Sequence, residues 1–121
     1  MRAIVLVDHG SREPAANEQL DRLARLVAER RPDDLVRAAH MELAPPSLAE
    51  AIDACIAAGA REVDVHPFFV APGRHVREDI PRLVAEAGAR HAGARIRLSE
   101  PLGLHPSIVD AVLARLAELD D

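Results

Sequence analysis

Apolar positions along this chain alternate between short strand-like runs and stretches of helical spacing. Arg2 to Val7 (RAIVLV) is nearly unbroken, as in a strand covered on both faces of a parallel sheet. Pro14 suits a first helical turn, and Leu20, Leu23, Ala24 and Val27 follow at helical spacing, opposite Asp21, Arg22, Arg25 and Glu29, until Pro32 stops them. Leu35 to Leu43 (LVRAAHMEL) reads as a second strand, polar enough at Arg37 and His40 to lie at an edge, and Pro45-Pro46 ends it. Ser47 and Glu50 make a capping box ahead of the buried stripe Leu48, Ile52, Cys55 and Ile56, and Gly59 is placed to terminate that helix. A third strand carries Val63, Val65, Phe68, Phe69 and Val70 and breaks at Ala71-Pro72-Gly73. Both phenylalanines lie in it, so it is expected to supply the bulkiest part of the core. Arg74 and His75 are expected in the loop before a third helix, which starts near Asp79 and Pro81 and carries Ile80, Leu83, Val84 and Ala87. Arg95 to Ser99 alternates like an edge strand. A last helix begins with Ser107 and Asp110 and has the stripe Val109, Val112, Leu113 and Leu116.

The order βαβαβαβα implies right-handed crossovers and a parallel sheet. The apolar first and third strands belong at its centre and the two mixed ones at its edges, which gives the order 2-1-3-4 with helices on both faces. The expected fold is a single-domain α/β three-layer sandwich over residues 1–121. Its topological switch lies between strands one and three, where open α/β sheets bind ligands. Four loops leave the carboxyl edge of such a sheet: His9–Arg12, Glu42–Pro46, Ala71–His75 and Pro101–His105.

Composition narrows the function. The 121 residues suffice for one core but not two, and no apolar run approaches a membrane span. The N-terminus is interrupted at Asp8 too early for a secretory signal, so a cytoplasmic protein is the default expectation. One cysteine excludes an internal disulfide framework or a multi-cysteine metal site within one chain. A net charge of −5 and an aromatic content of 2% argue against nucleic acid as a partner. All 15 basic residues are arginines, so every cationic side chain can grip a carboxylate or phosphate bidentately.

Two histidines, His9 and His75, with Glu42 beside the same crevice suit a borderline divalent metal such as iron, cobalt, nickel or zinc. The same groups could move protons near neutral pH. Arg12, Arg74 and Arg77 flank the crevice and are candidates for holding an anionic ligand. His66 inside strand three reads as a hydrogen-bonded core or interface residue, His105 as either a crevice residue or a turn residue between Gly103 and Pro106, His91 as a helix-end residue and Cys55 as a small core residue.

VDHGSR (Val7–Arg12), AHMELAPPSL (Ala39–Leu48), PFFVAPGRHVREDIP (Pro67–Pro81) and PLGLHP (Pro101–Pro106) together resemble the four signature segments of the short sirohydrochlorin chelatases, the CbiX type of class II chelatase. The resemblance covers essentially the whole chain in order. Its wording is nearest to the plant-type sirohydrochlorin ferrochelatases, whose C-terminal iron–sulfur cysteines this chain lacks. It implies insertion of Fe2+ or Co2+, and in some relatives Ni2+, into sirohydrochlorin, toward sirohaem or cobalamin, with no permanently bound cofactor. His9 and His75 match the family's metal-binding and catalytic histidines and Glu42 its active-site glutamate. Ser11, Arg12, Arg74 and Arg77 are then expected to bind the substrate's carboxylates. Longer class II chelatases place their cleft between two similar halves, so a chain of this length is expected to form a homodimer. A histidine phosphatase is the main alternative enzyme, but Asp8 stands where that family has arginine and would repel phosphate. A non-catalytic metal or tetrapyrrole carrier is the alternative from another class.

Overall fold

The unbroken apolar run becomes a central strand because helices cover both of its faces. In a computed structural model, which describes residues 1–120, β1 (Arg2–Asp8) pairs in parallel with β2 (Leu35–His40) and with β3 (Glu62–Pro67), and β3 pairs with β4 (Arg95–Leu98). The last residue of the expected domain lies outside the described ones. The sheet order β2-β1-β3-β4 is the one expected from the apolar pattern. Ala3, Val5 and Val7 of β1, with Val63 and Val65 of β3, face α2 (Leu48–Ala57) and α3 (Arg74–Arg90) in the larger core cluster. Leu6, Val36 and Ala38 face the opposite way, against Leu20 and Ala24 of α1 (Pro14–Arg30). Each large aliphatic removed from water here contributes roughly 1.5–3 kcal/mol.

The expected capping box of α2 is present. The Glu50 N–H donates to Ser47 Oγ (3.1 Å) and the Ser47 N–H to Glu50 Oε1 (2.9 Å), satisfying two helix-end donors. Gly59 ends the α2 segment with φ +108°, a conformation that favours glycine. Cys55 is buried in the core, as expected, and burial pushes its thiol pKa up.

Several expectations fail. β3 stops at Pro67, where the Phe69 N–H turns back to the Pro67 carbonyl (2.9 Å), so Phe68 and Val70 leave the core. Phe69 packs only at the margin, and the centre is built from aliphatic residues. β3 is also not apolar on both faces. Glu62, Asp64 and His66 lie on the α1 face of the sheet but beyond the reach of α1, where ion pairs Arg2–Glu62 (2.8 Å) and Arg97–Asp64 (2.7 Å) run across the strands. β2 ends at His40, which is buried rather than facing solvent at the edge.

α3 begins at Arg74, not near Asp79, so His75 lies in its first turn and Pro81 inside it. An interior proline costs about 3 kcal/mol. The helix continues upstream of it because Val76 extends the stripe Ile80, Val84 and Ala87 against the main core. α4 (Pro106–Ala117) starts one residue before the expected Ser107, with Pro106 in the first turn and the His105 ring accepting the Ser107 N–H at Nδ1 (3.0 Å). The turn role foreseen for His105 is thus a helix cap. The stripe of α4 is not buried. Val109, Val112, Leu113 and Leu116 are 51–58% exposed, and α4 packs appreciably only on the short 3-10 turn Glu118–Asp120 that follows it. Among the described residues no helix is long and apolar enough to cross a membrane.

Candidate active site

Backbone pairing that outlasts the strands builds the site. Beyond β1 and β2 the chains stay side by side, with the Met41 N–H donating to the Asp8 carbonyl (2.8 Å) and the Glu42 N–H to the His9 carbonyl (3.1 Å). His9 and Glu42 are therefore carried past the carboxyl edge together. Gly10 makes this approach possible. It has φ +92°, and a Cβ there would overlap the Glu42 carbonyl oxygen. Leu43, directly after Glu42, also takes a positive φ of 70°, which turns the chain sharply.

His9 Nε2 lies 3.3 Å from Glu42 Oε1, and both side chains are more than half exposed. His9 Nδ1 lies 3.4 Å from the Gly10 carbonyl. When Nδ1 carries the proton, Nε2 and the carboxylate face each other as two acceptors, an arrangement that calls for a proton or a cation between them. Metal–ligand bonds of about 2.1 Å place neighbouring donor atoms roughly 3.0–3.4 Å apart, so the spacing suits two ligands of one ion.

Sequence reasoning missed the group behind this pair. His40, 2% exposed, has Nδ1 2.6 Å from Asp8 Oδ1, the length of a strong charge-assisted contact. Asp8 precedes His9 and His40 stands two residues before Glu42, so this contact clamps both site loops at their roots. The available signal was the register. In the 2-1-3-4 order Asp8 pairs with His40 across adjacent strands.

The other expected residues are not gathered as tightly. His75 is exposed in the first turn of α3 and makes no side-chain hydrogen bond or ion pair among the described residues. No three His, Cys, Asp or Glu side chains there cluster closely enough to hold a metal ion. Arg74 pairs with Glu78 (3.1 Å) along the helix surface, whereas Arg12 and Arg77 have no acidic partner among the described residues. Arg77 borders a hollow of about 320 Å³ at the carboxyl ends of β3 and β4, which includes neither His9 nor Glu42. Ser11 Oγ accepts the Glu13 N–H (3.0 Å) and the Ser11 backbone is bracketed by Asn17, so its hydroxyl proton stays free to donate. His66 Nδ1 contacts Ser99 Oγ (2.8 Å), and burial lowers its pKa, in keeping with a hydrogen-bonded structural histidine.

A parallel α/β sheet with its open polar groups at one carboxyl edge defines a ligand-handling domain of the doubly wound class. The chain belongs to the CbiX family, whose model matches residues 3–119. It is 41% identical to the chloroplastic sirohydrochlorin ferrochelatase of Arabidopsis thaliana over 93% of its own length and 50% of that protein. It superposes on the CbiX protein of Marinobacter aquaeolei VT8, described as a cobalamin (vitamin B12) biosynthesis protein, with a TM-score of 0.84 and 34% identity, covering 98% of this chain and 96% of that one. SirB from Bacillus subtilis, solved with Fe3+, gives a TM-score of 0.81 at 27% identity, covering 98% of this chain but 47% of SirB. The enzyme from subspecies spizizenii was solved in complex with cobalt and is 28% identical. The chain thus spans about half the length of some of the relatives it matches.

Proposed function

We propose that this chain is a sirohydrochlorin metallochelatase that inserts iron or cobalt, with nickel as a further candidate, into sirohydrochlorin for sirohaem or cobalamin formation. The observation that carries the reading is the His9–Glu42 pair, two donors at ligand spacing on an open edge. Family membership supports it, as do relatives named for the iron and cobalt reactions. A cytoplasmic setting remains the reading of composition, although the Arabidopsis relative is named chloroplastic.

Metallation replaces two pyrrole N–H protons by one divalent cation, so ligands and bases must share one crevice. His9 Nε2 and the Glu42 carboxylate receive the partly hydrated metal, and His75, on the first turn of α3, supplies a further ligand. As the metal passes to the ring nitrogens, Glu42 is free to take a pyrrole proton and hand it to water, and His9 is placed to take the second. Few protein ligands and an open site let the metal leave with the product. Sirohydrochlorin carries eight carboxylates. Arg12 and Arg77, without acidic partners, are the first candidates to hold them, with Arg74 released from Glu78 and the Ser11 hydroxyl assisting. A homodimer would give the tetrapyrrole a second wall, with His9 and His75 of both subunits facing a shared cavity.

The test is turnover of sirohydrochlorin with Fe2+ and with Co2+. His9→Ala and His75→Ala should each lower it severely in a folded protein. Glu42→Gln should slow metallation while sirohydrochlorin still binds. Unchanged turnover in Glu42→Gln would remove that carboxylate from the mechanism. Stoichiometric binding without turnover in the wild type would make the chain a carrier. Gly10→Ala should act as strongly as a ligand loss, because the added Cβ separates the two site loops.

A further inference from the structure

We propose that Asp8 and His40 are positioning residues, a pair behind the metal ligands that sets the distance between His9 and Glu42 and with it the affinity of the edge for a small divalent cation. The inference rests on the metal-handling reading above and specifies what holds that site in shape. His40 is the one buried polar or charged residue among the described ones. It stands two positions before Glu42, and Asp8 one position before His9. Taking an imidazole and most of a carboxylate out of water is unfavourable, and apolar side chains would fill the same space without that cost. What apolar side chains cannot do is fix a direction. The 2.6 Å contact between His40 Nδ1 and Asp8 Oδ1 does so.

His40 is the point at which both site loops are tied. Its backbone N–H donates to the Pro46 carbonyl (2.9 Å), and it pairs with Ser47 in an isolated parallel bridge. The loop 41–46 is therefore closed at its base, with Glu42 near its start. On the other side, the His40 Cβ lies 3.1 Å from the place a Cβ would take on Gly10, directly after His9. One residue thus holds the base of the Glu42 loop by its backbone and β1 by its ring, and it lies beneath the turn of the His9 loop. Without the ring contact the two loops would rest on the backbone bonds from Met41 (2.8 Å) and Glu42 (3.1 Å), past the strand ends, where exposed backbone pairs open readily.

The chemistry of the pair separates positioning from mere packing. An ionised carboxylate only accepts, so Nδ1 of His40 carries the hydrogen between them. His40→Asn offers an amide N–H at the place of Nδ1, and Asp8→Asn keeps an accepting oxygen, so either substitution retains the hydrogen bond. The spacing of the ligands separates cations as well. Donors 3.3 Å apart suit metal–ligand bonds of about 2.1 Å. A larger ion such as Cd2+ makes longer bonds and needs its donors further apart. A fixed short spacing therefore favours Co2+, and loosening it costs Co2+ more than Cd2+.

Calorimetric titration of the full chain with Co2+ and with Cd2+, without sirohydrochlorin, tests the role apart from turnover, and the visible absorption of bound Co2+ reports its geometry. His9→Ala should abolish Co2+ binding, which locates the ion. The double variant Asp8→Ala/His40→Leu removes the pair without leaving a lone polar partner. It should keep a urea midpoint at or above that of wild type, bind Co2+ about 10-fold more weakly with an altered spectrum, and bind Cd2+ nearly as wild type does. His40→Asn and Asp8→Asn should each recover most of the Co2+ affinity and the wild-type spectrum. Wild-type Co2+ affinity in the double variant overturns the proposal, and so does an equal loss for both ions, since a pair that serves only the fold would give either. If the double variant does not fold, Asp8→Ala, at the partly exposed end of the pair, replaces it, and a Co2+ affinity for Asp8→Ala equal to that of Asp8→Asn overturns the proposal. A wild type that binds no Co2+ overturns it too. Co2+ binding with the expected order of variants but no turnover of sirohydrochlorin would instead count against the chelatase reading and leave the positioning role intact.

Discussion

α2 and α4 carry the same kind of pattern and meet opposite fates. Each follows a proline-bearing turn, each has a polar cap, and each presents aliphatic residues at helical spacing. α2 buries Leu48, Ala51, Ile52 and Cys55 against the sheet, while α4 buries nothing within the subunit. The pattern of a helix announces that one face needs a cover. It does not say which surface provides it. α2 leads directly into β3, whose pairing with β1 holds the helix over the sheet, whereas α4 follows β4 and, among the described residues, leads only into the short turn Glu118–Asp120.

The largest test of this contrast is a pair of truncations. Ile52→Ala should destabilise the subunit by about 2–5 kcal/mol, as expected for a fully buried aliphatic that leaves a cavity. Leu116→Ala should change urea unfolding of the dilute chain by no more than about 0.5 kcal/mol. Equal losses would mean that α4 packs on its own subunit. A smaller effect is expected from Cys55→Ser, which places a hydroxyl in the α2 core without a partner and should cost about 1–3 kcal/mol in urea denaturation. The thiol, held protonated by burial, should resist alkylation until the chain unfolds.

The smallest effect concerns the part of the α1 face, over β3 and β4, that no helix covers. Arg97 donates two hydrogen bonds to Asp64, and these hold its carboxyl below the usual range. A depressed folded pKa gives a stability contribution that is complete above the unfolded value of about 3.9 and is lost as pH falls through the folded value. Both side chains are partly exposed, so Asp64→Asn should cost less than about 1 kcal/mol at pH 7. The difference from wild type should vanish in unfolding measurements near the depressed value. A difference that persists there would mean that the residue acts through packing instead.

The site was legible in part. Strand order placed the loops of His9 and His75 beside one crevice, with Glu42 at the end of the neighbouring strand; the structure brings His9 and Glu42 within 3.3 Å, while His75 makes no hydrogen bond or ion pair to either among the described residues. The Asp8–His40 clamp was not foreseen, because a polar residue in a mixed strand reads as an edge residue facing water. The actual direction of His40 depends on a neighbour 32 positions away. The start of α3 was misplaced because Pro81 looks like a boundary, whereas the helix runs through it to Val76, which is partly buried against the core.

Periodicity, caps and turn residues determined the elements, their order and the 2-1-3-4 sheet, since these follow from local backbone preference and from the need to bury β1 on both sides. Tertiary structure alone decided which faces are covered: that Phe68 turns out of the core, that His40 turns in, that ion pairs occupy the outer half of the sheet, and that α4 stands free. Each of these is a choice between surfaces far apart in the chain, and local propensity carries no information about a contact whose energy arises only when the two meet.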